Sequence, residues 1–139
     1  MRVADIIRKK GSDVVTLPPS ATIAELVETL ADKNIGSVVI MEDDEVVGIV
    51  SERDVVRRLR TSQDVSEPVS AIMTRQLVWC GPHDDVRELA TTMTERRIRH
   101  VPVVVDGRLA AIVSIGDVVK HRLEELEAER DQLAGYVHG

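Results

Sequence analysis

The chain carries one unit of sequence twice. Residues 35–54 reappear at 98–117, in step and without a gap. Ile35 answers Ile98, Gly48-Ile49-Val50-Ser51 answers Ala111-Ile112-Val113-Ser114, and Asp54 answers Asp117, each pair 63 positions apart. The register extends backwards, because Thr22-Ile23-Ala24-Glu25-Leu26 matches Asp85-Val86-Arg87-Glu88-Leu89 at the same offset. A duplication of this kind predicts two halves packed about a pseudo-twofold axis, with any functional site occurring twice.

Each unit reads as the same string of elements. In the first, Ile6 and Ile7 give a short amphipathic turn before Gly11, and Val14-Val15 reads as a brief strand stopped by Pro18-Pro19. Thr22 with Glu25 forms a capping box, in which hydroxyl and carboxylate each satisfy an orphan N–H at a helix start. Ile23, Leu26, Val27 and Leu30 then follow at helical spacing. Ser37 to Met41 and Val46 to Val50 flank an acidic turn and predict a hairpin, followed by a helix from about Glu52 to Leu59. The second unit repeats this order. Ile72-Met73 is its leading turn, Leu77-Val78 its short strand, Asp85 with Glu88 its capping pair, and Val86, Leu89, Ala90 and Met93 its helical stripe. Val101 to Val105 and Leu109 to Val113 flank Asp106-Gly107, a strong two-residue hairpin signal.

The expected fold is therefore α+β, α/β-like in its alternation: two repeats, each a small three-stranded sheet with two helices on one side. So small a sheet leaves an apolar face bare, which predicts that the repeats pack sheet to sheet. Repeat 1 covers residues 1–60, a polar linker 61–68, repeat 2 residues 69–120, and an amphipathic C-terminal helix 121–139. Along that helix Val119, Leu123, Leu126, Leu133 and Val137 fall at near-heptad spacing, with Arg130 interrupting. Such a stripe suits pairing with a second copy or folding back on its own domain, and both readings stay open.

Composition narrows the function. With no Phe, one Trp and one Tyr, the core must be aliphatic, and the stacking side chains typical of single-stranded nucleic-acid binders are missing. A net charge of −6 also disfavours a nucleic-acid footprint. Cys80, the one cysteine, cannot form an internal disulfide, which fits a reducing cytosol. No apolar leader or membrane-length apolar run is present, so a cytoplasmic location without membrane contact is expected. The four histidines and Cys80 lack metal-ligand spacing, and neither a Gly-rich phosphate loop nor a nucleophile–base arrangement stands out. No catalytic residue and no metal are assigned.

Three segments carry a resemblance. Gly48-Ile49-Val50-Ser51-Glu52-Arg53-Asp54, His100-Val101-Pro102-Val103-Val104 and Ile112-Val113-Ser114-Ile115-Gly116-Asp117 resemble the tandem cystathionine-β-synthase (CBS) domain pair, or Bateman module. The resemblance runs from Met1 to about Lys120, and the C-terminal helix looks like that of small stand-alone bacterial members. It implies a non-enzymatic regulatory module that binds adenosine-containing ligands (AMP, ADP, ATP, NAD or S-adenosylmethionine) in clefts between the repeats. Occupancy would pass on as a conformational change, usually within a homodimer, toward a regulated protein not yet identified.

The resemblance also implies roles. Ser51 and Ser114 stand at strand-to-helix junctions, where free N–H groups suit phosphate. Asp54 and Asp117, one turn on, would hold the ribose hydroxyls. Ser-x-x-Asp is equally a capping box, and the two readings are compatible for the serines. Arg99 and His100, just before Val101-Pro102, match a place where family members put phosphate-contacting basic residues. Arg99 is also readable as part of a surface helix end rich in arginine, with Arg96 and Arg97. Arg53 is a second phosphate candidate. Thr16 and Trp79 occupy equivalent places beside base and ribose, and Trp79 would close the cleft, stack on the ring or fill core volume. Rival readings are a partner-docking dimer module acting through its C-terminal helix without nucleotide, an enzyme relying on His100, and a nucleic-acid binder.

Overall fold

The computed structural model describes residues 1–11 and 13–138 apart from the side chains of Val137 and His138, so the expected seam position of Val137 lies outside the described residues. Its helices are α1 (Val3–Lys10), α2 (Ile23–Lys33), α3 (Glu52–Leu59), α4 (Val86–Arg96) and α5 (Ile115–His138). Its strands are β1 (Thr16–Leu17), β2 (Ser37–Glu42), β3 (Glu45–Ser51), β4 (His100–Val105) and β5 (Arg108–Ser114). The architecture is the expected mixed α+β one. No helix among the described residues is long and apolar enough to cross a membrane.

Local chemistry sets the element ends. Thr22 Oγ1 accepts the Glu25 N–H at 3.1 Å, and Glu25 Oε2 accepts the Thr22 N–H at 3.3 Å, closing the box that starts α2. The hairpin turns Asp43-Asp44 (φ 51° and 64°) and Asp106-Gly107 (φ 51° and 75°) hold both central residues at positive φ. That is type I′ geometry, whose twist matches the right-handed twist of the strands. Both hairpins also shift register at equivalent places, between Ile40 and Met41 and between Val103 and Val104.

The third strands differ from expectation, and one proline explains the asymmetry. In the first unit β1 pairs parallel with β2 through Thr16 and Leu17, two residues beyond Val14-Val15. Val15 contributes only its carbonyl, which accepts the Val39 N–H at 3.3 Å. In the second unit the third strand shrinks to one bridge, Cys80 with Val103, rather than a strand at Leu77-Val78. Pro102 stands where Val39 stands in the first unit and has no N–H to give, so that rung is lost. Two bonds around Cys80 remain, from Cys80 N to Pro102 O at 3.0 Å and from Val104 N to Cys80 O at 2.9 Å.

The two cores exchange their leading segments. Val3 and Ile6 of α1 are buried with Val86, Leu89, Met93, Val101, Val103 and Val113, in the core of the second unit. Val69, at the head of the second repeat, is buried with Ile23, Leu26, Val38, Ile40 and Val50 of the first, and Ile72 and Met73 pack against that cluster. Each fully buried Val or Leu contributes roughly 1.5–3 kcal/mol, so neither half retains its whole core without the other. The sheets meet along β3 and β5. Val39 and Ile49 sit opposite one another in register on the first sheet, on the face turned away from its helices, and Pro102 and Ile112 hold the same places on the second.

Gly48 marks where a returning backbone crosses a strand. Ile49 N donates to Thr74 O at 3.0 Å and Thr74 N to Ile49 O at 2.9 Å, which pins the crossing. A Cβ on Gly48 would stand 2.8 Å from Met73 Sδ and 2.9 Å from the Thr74 carbonyl oxygen. Gly48→Ala is expected to destabilise the protein by about 1–3 kcal/mol, because the carbonyl cannot retreat without losing both bonds. Urea unfolding would measure this, and an unchanged midpoint would refute it. The equivalent Ala111 is tolerated because its unit is crossed by α1, a helix, and Ile112 O there accepts a side chain, Lys10 Nζ, at 2.8 Å.

Helix α5 has two apolar stripes. Val118 and His121 are buried toward its own domain, where the helix base meets α1 and α4. Val119, Leu123, Leu126 and Leu133 are exposed on the outer stripe, and residues 127–136 are exposed throughout. The helix base thus folds onto its own domain while the outer stripe does not.

Candidate functional site

A cleft of about 710 Å³ opens between the two units, built from five pieces of chain that the fold brings together. These are Gly36 before β2, the end of β3 with the start of α3, the segment 74–78, the α4-to-β4 connection and the end of β5 with the start of α5. Its volume falls in the range of small-molecule sites, about 300–1,000 Å³. Two helix N-termini therefore face one space, and each offers amide hydrogens and the positive end of its dipole.

At the α3 end, Ser51 is the N-cap. Asp54 Oδ2 accepts the Ser51 N–H at 2.9 Å and the Ser51 hydroxyl at 3.2 Å, while Asp54 N donates to Ser51 Oγ at 3.4 Å. Glu52 N donates to Gly36 O at 3.0 Å. These bonds occupy the first-turn donors on either side of Arg53. No hydrogen bond among the described residues engages Asp54 Oδ1, an unused acceptor on a residue that lines the cleft. The start of α5 repeats the pattern: Ser114 N donates to Asp117 Oδ2 at 2.9 Å, Asp117 N to Ser114 Oγ at 3.1 Å, and Ile115 N to Arg99 O at 2.8 Å.

The two aspartates nonetheless have different surroundings. Asp54 lines the large cleft. Asp117 lies instead beside a cavity of about 70 Å³ between α1 and α5, and its Oδ2 takes Lys10 Nζ at 2.5 Å. Burial works to raise the Asp117 pKa, but the Lys10 ammonium and the Ser114 amide together hold it below the ordinary carboxylate value.

Cations dominate the cleft wall. Arg53, Arg57, Arg97 and Arg99 line it with His100, against Glu52 and Asp54. Arg97 ends α4 in the left-handed conformation at φ 55°, where the first unit has Asn34 at φ 53°. Asparagine tolerates that region and arginine does so at a cost of order 1 kcal/mol, so the guanidinium sits at a strained position beside the cleft. Burial, with Lys10 and Arg99 nearby, holds the His100 pKa below the usual histidine value, against the opposing pull of Asp117 and Glu52.

The remaining expected site residues lie elsewhere. Val101 is fully buried in the core of the second unit, Pro102 is buried where it trims the edge strand, and neither lines the cleft. Thr16 is exposed and also outside the lining. Trp79 is 46% exposed, so filling core volume is not its role, and it stands beside the lining residue Val78 without joining the wall. Arg57, Gln76 and Arg97 are lining residues that sequence reading did not single out. Arg57 was within reach, since it follows Arg53 by one helical turn on the same face. Gln76 sits in an irregular segment with no periodicity to read.

Both serine hydroxyls are committed to the helix starts. Cys80 is buried, and burial pushes its thiol up to about 12. No cluster of three His, Cys, Asp or Glu side chains able to hold a metal occurs among the described residues.

Comparison with known proteins agrees with this architecture. A family model described as "CBS domain" matches residues 3–61 and 69–124. A crystal structure of a CBS-domain-containing protein from Agrobacterium tumefaciens superposes with a TM-score of 0.85 at 42% identity, covering 88% of this chain and 99% of that one. A CBS domain protein from Pyrobaculum aerophilum, complexed with AMP, superposes at 0.76 with 30% identity, over 84% of this chain and 89% of that one. A CBS domain pair in complex with 5′-methylthioadenosine and S-adenosyl-L-methionine superposes at 0.80 with 25% identity, over 90% and 98%. Some curated relatives are longer: the chain spans 39% of the length of an uncharacterised Methanocaldococcus jannaschii protein, 34% identical over 109 residues.

Proposed function

The chain belongs to the CBS-domain family, as two such domains in tandem, and from that premise we propose that it is a non-enzymatic regulatory module for an adenosine-containing nucleotide. AMP, ADP, ATP or NAD would bind in the cleft between the units and signal occupancy by changing their relative orientation. The observation that carries this reading is the meeting of Asp54, two helix N-termini and four arginines in one cleft of nucleotide size. Adenosine is the chemistry common to the ligands carried by two of the similar structures, which supports the same moiety here.

Each part of such a ligand has a counterpart. Ile49, Leu77, Val78 and Ile98 offer an apolar surface for the purine. Asp54 Oδ1 accepts from the ribose hydroxyls. The phosphates take the Arg53 amide and the guanidinium groups of Arg53, Arg57, Arg97 and Arg99, whose planar forks suit phosphate oxygens. Because the ligand touches α3 of one unit and α5 of the other, it favours the orientation in which both contacts are made. A tenfold bias needs about 1.4 kcal/mol of differential binding, within the worth of one charge-assisted hydrogen bond. Helix α5 runs without a break from the cleft to the exposed outer stripe, where a second copy would read the change.

Calorimetric titration with AMP, ATP and NAD tests the reading: at least one should bind, and failure of all three would overturn it. In that event the rival of a docking module acting through α5 alone gains, since its stripe is present regardless of ligand.

His100 gives the binding a pH signature. Its depressed pKa leaves the imidazole neutral at pH 7, and phosphate arriving beside it favours the protonated form. Binding is therefore coupled to proton uptake, and affinity rises as pH falls from 8 toward 6. NAD is the suitable probe, because its diphosphate does not itself titrate there. We expect a gain of about three- to tenfold, equivalent to ~0.7–1.4 kcal/mol. His100→Gln should flatten the profile, and an equal slope in both proteins would exclude His100 as the source.

A further inference from the structure

The two units are nearly symmetric around their acidic residues Asp54 and Asp117, yet of this pair only Asp54 lines the large cleft. The difference traces to a single pair of equivalent positions, Met73 and Lys10, 63 residues apart. Met73 packs against the core of the first unit and leaves Asp54 to the cleft. Lys10 ends α1, which crosses the second unit, and its ammonium donates to Asp117 Oδ2 at 2.5 Å and to Ile112 O at 2.8 Å. The adjacent Lys9 reaches two turns further along α5, where its Nζ meets Glu124 Oε2 at 2.7 Å, so two lysines fasten the end of α1 to α5. What remains beside Asp117 is a cavity of about 70 Å³, far below the roughly 300 Å³ that a nucleoside site requires.

We propose that Lys10 acts as a built-in occupant of the second repeat's acidic position, so that the module receives one nucleotide per chain and Lys10 decides which of the two equivalent places is open. The ammonium takes the carboxylate oxygen that a ribose hydroxyl would need, and the ion pair is sheltered enough to resist displacement, with both side chains about one-quarter to one-third exposed. This inference rests on the nucleotide-receptor reading above.

Equilibrium dialysis with AMP, ATP and NAD, on the whole chain, counts the sites directly. Wild-type protein should saturate near one nucleotide per chain. Lys10→Met, which installs the residue of the equivalent position in the first unit, should saturate near two, and Lys10→Arg, which keeps the cation, should remain near one. Circular dichroism and a thermal melt establish that each variant folds, and Lys10→Ala serves if the methionine variant does not. A wild-type protein that binds two nucleotides, or a folded Lys10→Met that still binds one, overturns the inference alone. If neither wild type nor variant binds any of the three nucleotides, the receptor reading fails and takes this inference with it.

Discussion

Asp54→Asn should weaken nucleotide binding by roughly 10- to 100-fold while leaving the fold intact, because it removes the charge and keeps the cap. On the proposed reading the carboxylate does two tasks with two oxygens: Oδ2 closes the start of α3 through the Ser51 amide and hydroxyl, and Oδ1 would accept from the ligand. An asparagine carbonyl still accepts the Ser51 N–H, so α3 keeps its start. Lost instead is a charge-assisted hydrogen bond to the ribose, worth about 1.5–3 kcal/mol. Asp54→Ala removes both functions and should additionally lower stability by ~1 kcal/mol. Calorimetry paired with urea unfolding separates the two losses. Wild-type affinity in Asp54→Asn would show that the aspartate is a cap and nothing more.

Leu126→Glu should convert a homodimer into a monomer. The stripe of Val119, Leu123, Leu126 and Leu133 is too exposed for a single copy to satisfy, with Leu126 48% and Leu133 68% accessible. The occupant we propose is a second copy, and charge favours an antiparallel arrangement. With Leu123 set on Leu126 of the other copy, Lys120 falls opposite Glu127 and Arg122 opposite Glu129, each twice by symmetry. A parallel pair in register would instead stack Arg130 on Arg130. Burying a leucine contributes roughly 1.5–3 kcal/mol, and a glutamate at each symmetric place replaces that with a desolvated charge. Light scattering at micromolar concentration reads the mass directly. A wild-type monomer, or a Leu126→Glu dimer, would remove α5 as the interface. Orientation follows from cysteines: Leu123→Cys with Leu126→Cys should cross-link an antiparallel pair, whereas either change alone cross-links a parallel one.

The first experiment addresses the cleft and the second the outer stripe, and α5 runs between them. Nucleotide would contact the beginning of α5 through Ser114 and Gly116, and the second copy would contact its outer stripe. A continuous 24-residue helix joins them, so a small tilt at its base becomes a displacement along the stripe. On the proposed reading the length of α5 would be the physical route from occupancy to assembly.

What the amino-acid sequence settled by itself was local and repeated. The 63-residue offset, the Thr22–Glu25 capping box, the hairpin turns and the bounds of α3 could be read directly, because they depend on neighbours a few residues apart. Asp85 does cap α4, but through the Arg87 N–H and with no reciprocal bond from Glu88 among the described residues. Ser51 and Asp54 were legible for the same reason, through a motif written twice, whereas Arg53, Arg99 and His100 have no counterpart in the other unit and were legible only through the family resemblance; all five line one cleft. The tertiary structure decided the asymmetry. Both aspartates carry the same motif and the same cap, but Asp117 is met by Lys10 from an element 107 positions away. Arg97 lines the cleft because α4 ends beside it, and α1 serves the core of the opposite unit because the leading segments exchange. Periodicity encodes which face of a helix or strand is apolar. Which other segment covers that face is fixed only when distant parts of the chain compete for the same buried surface.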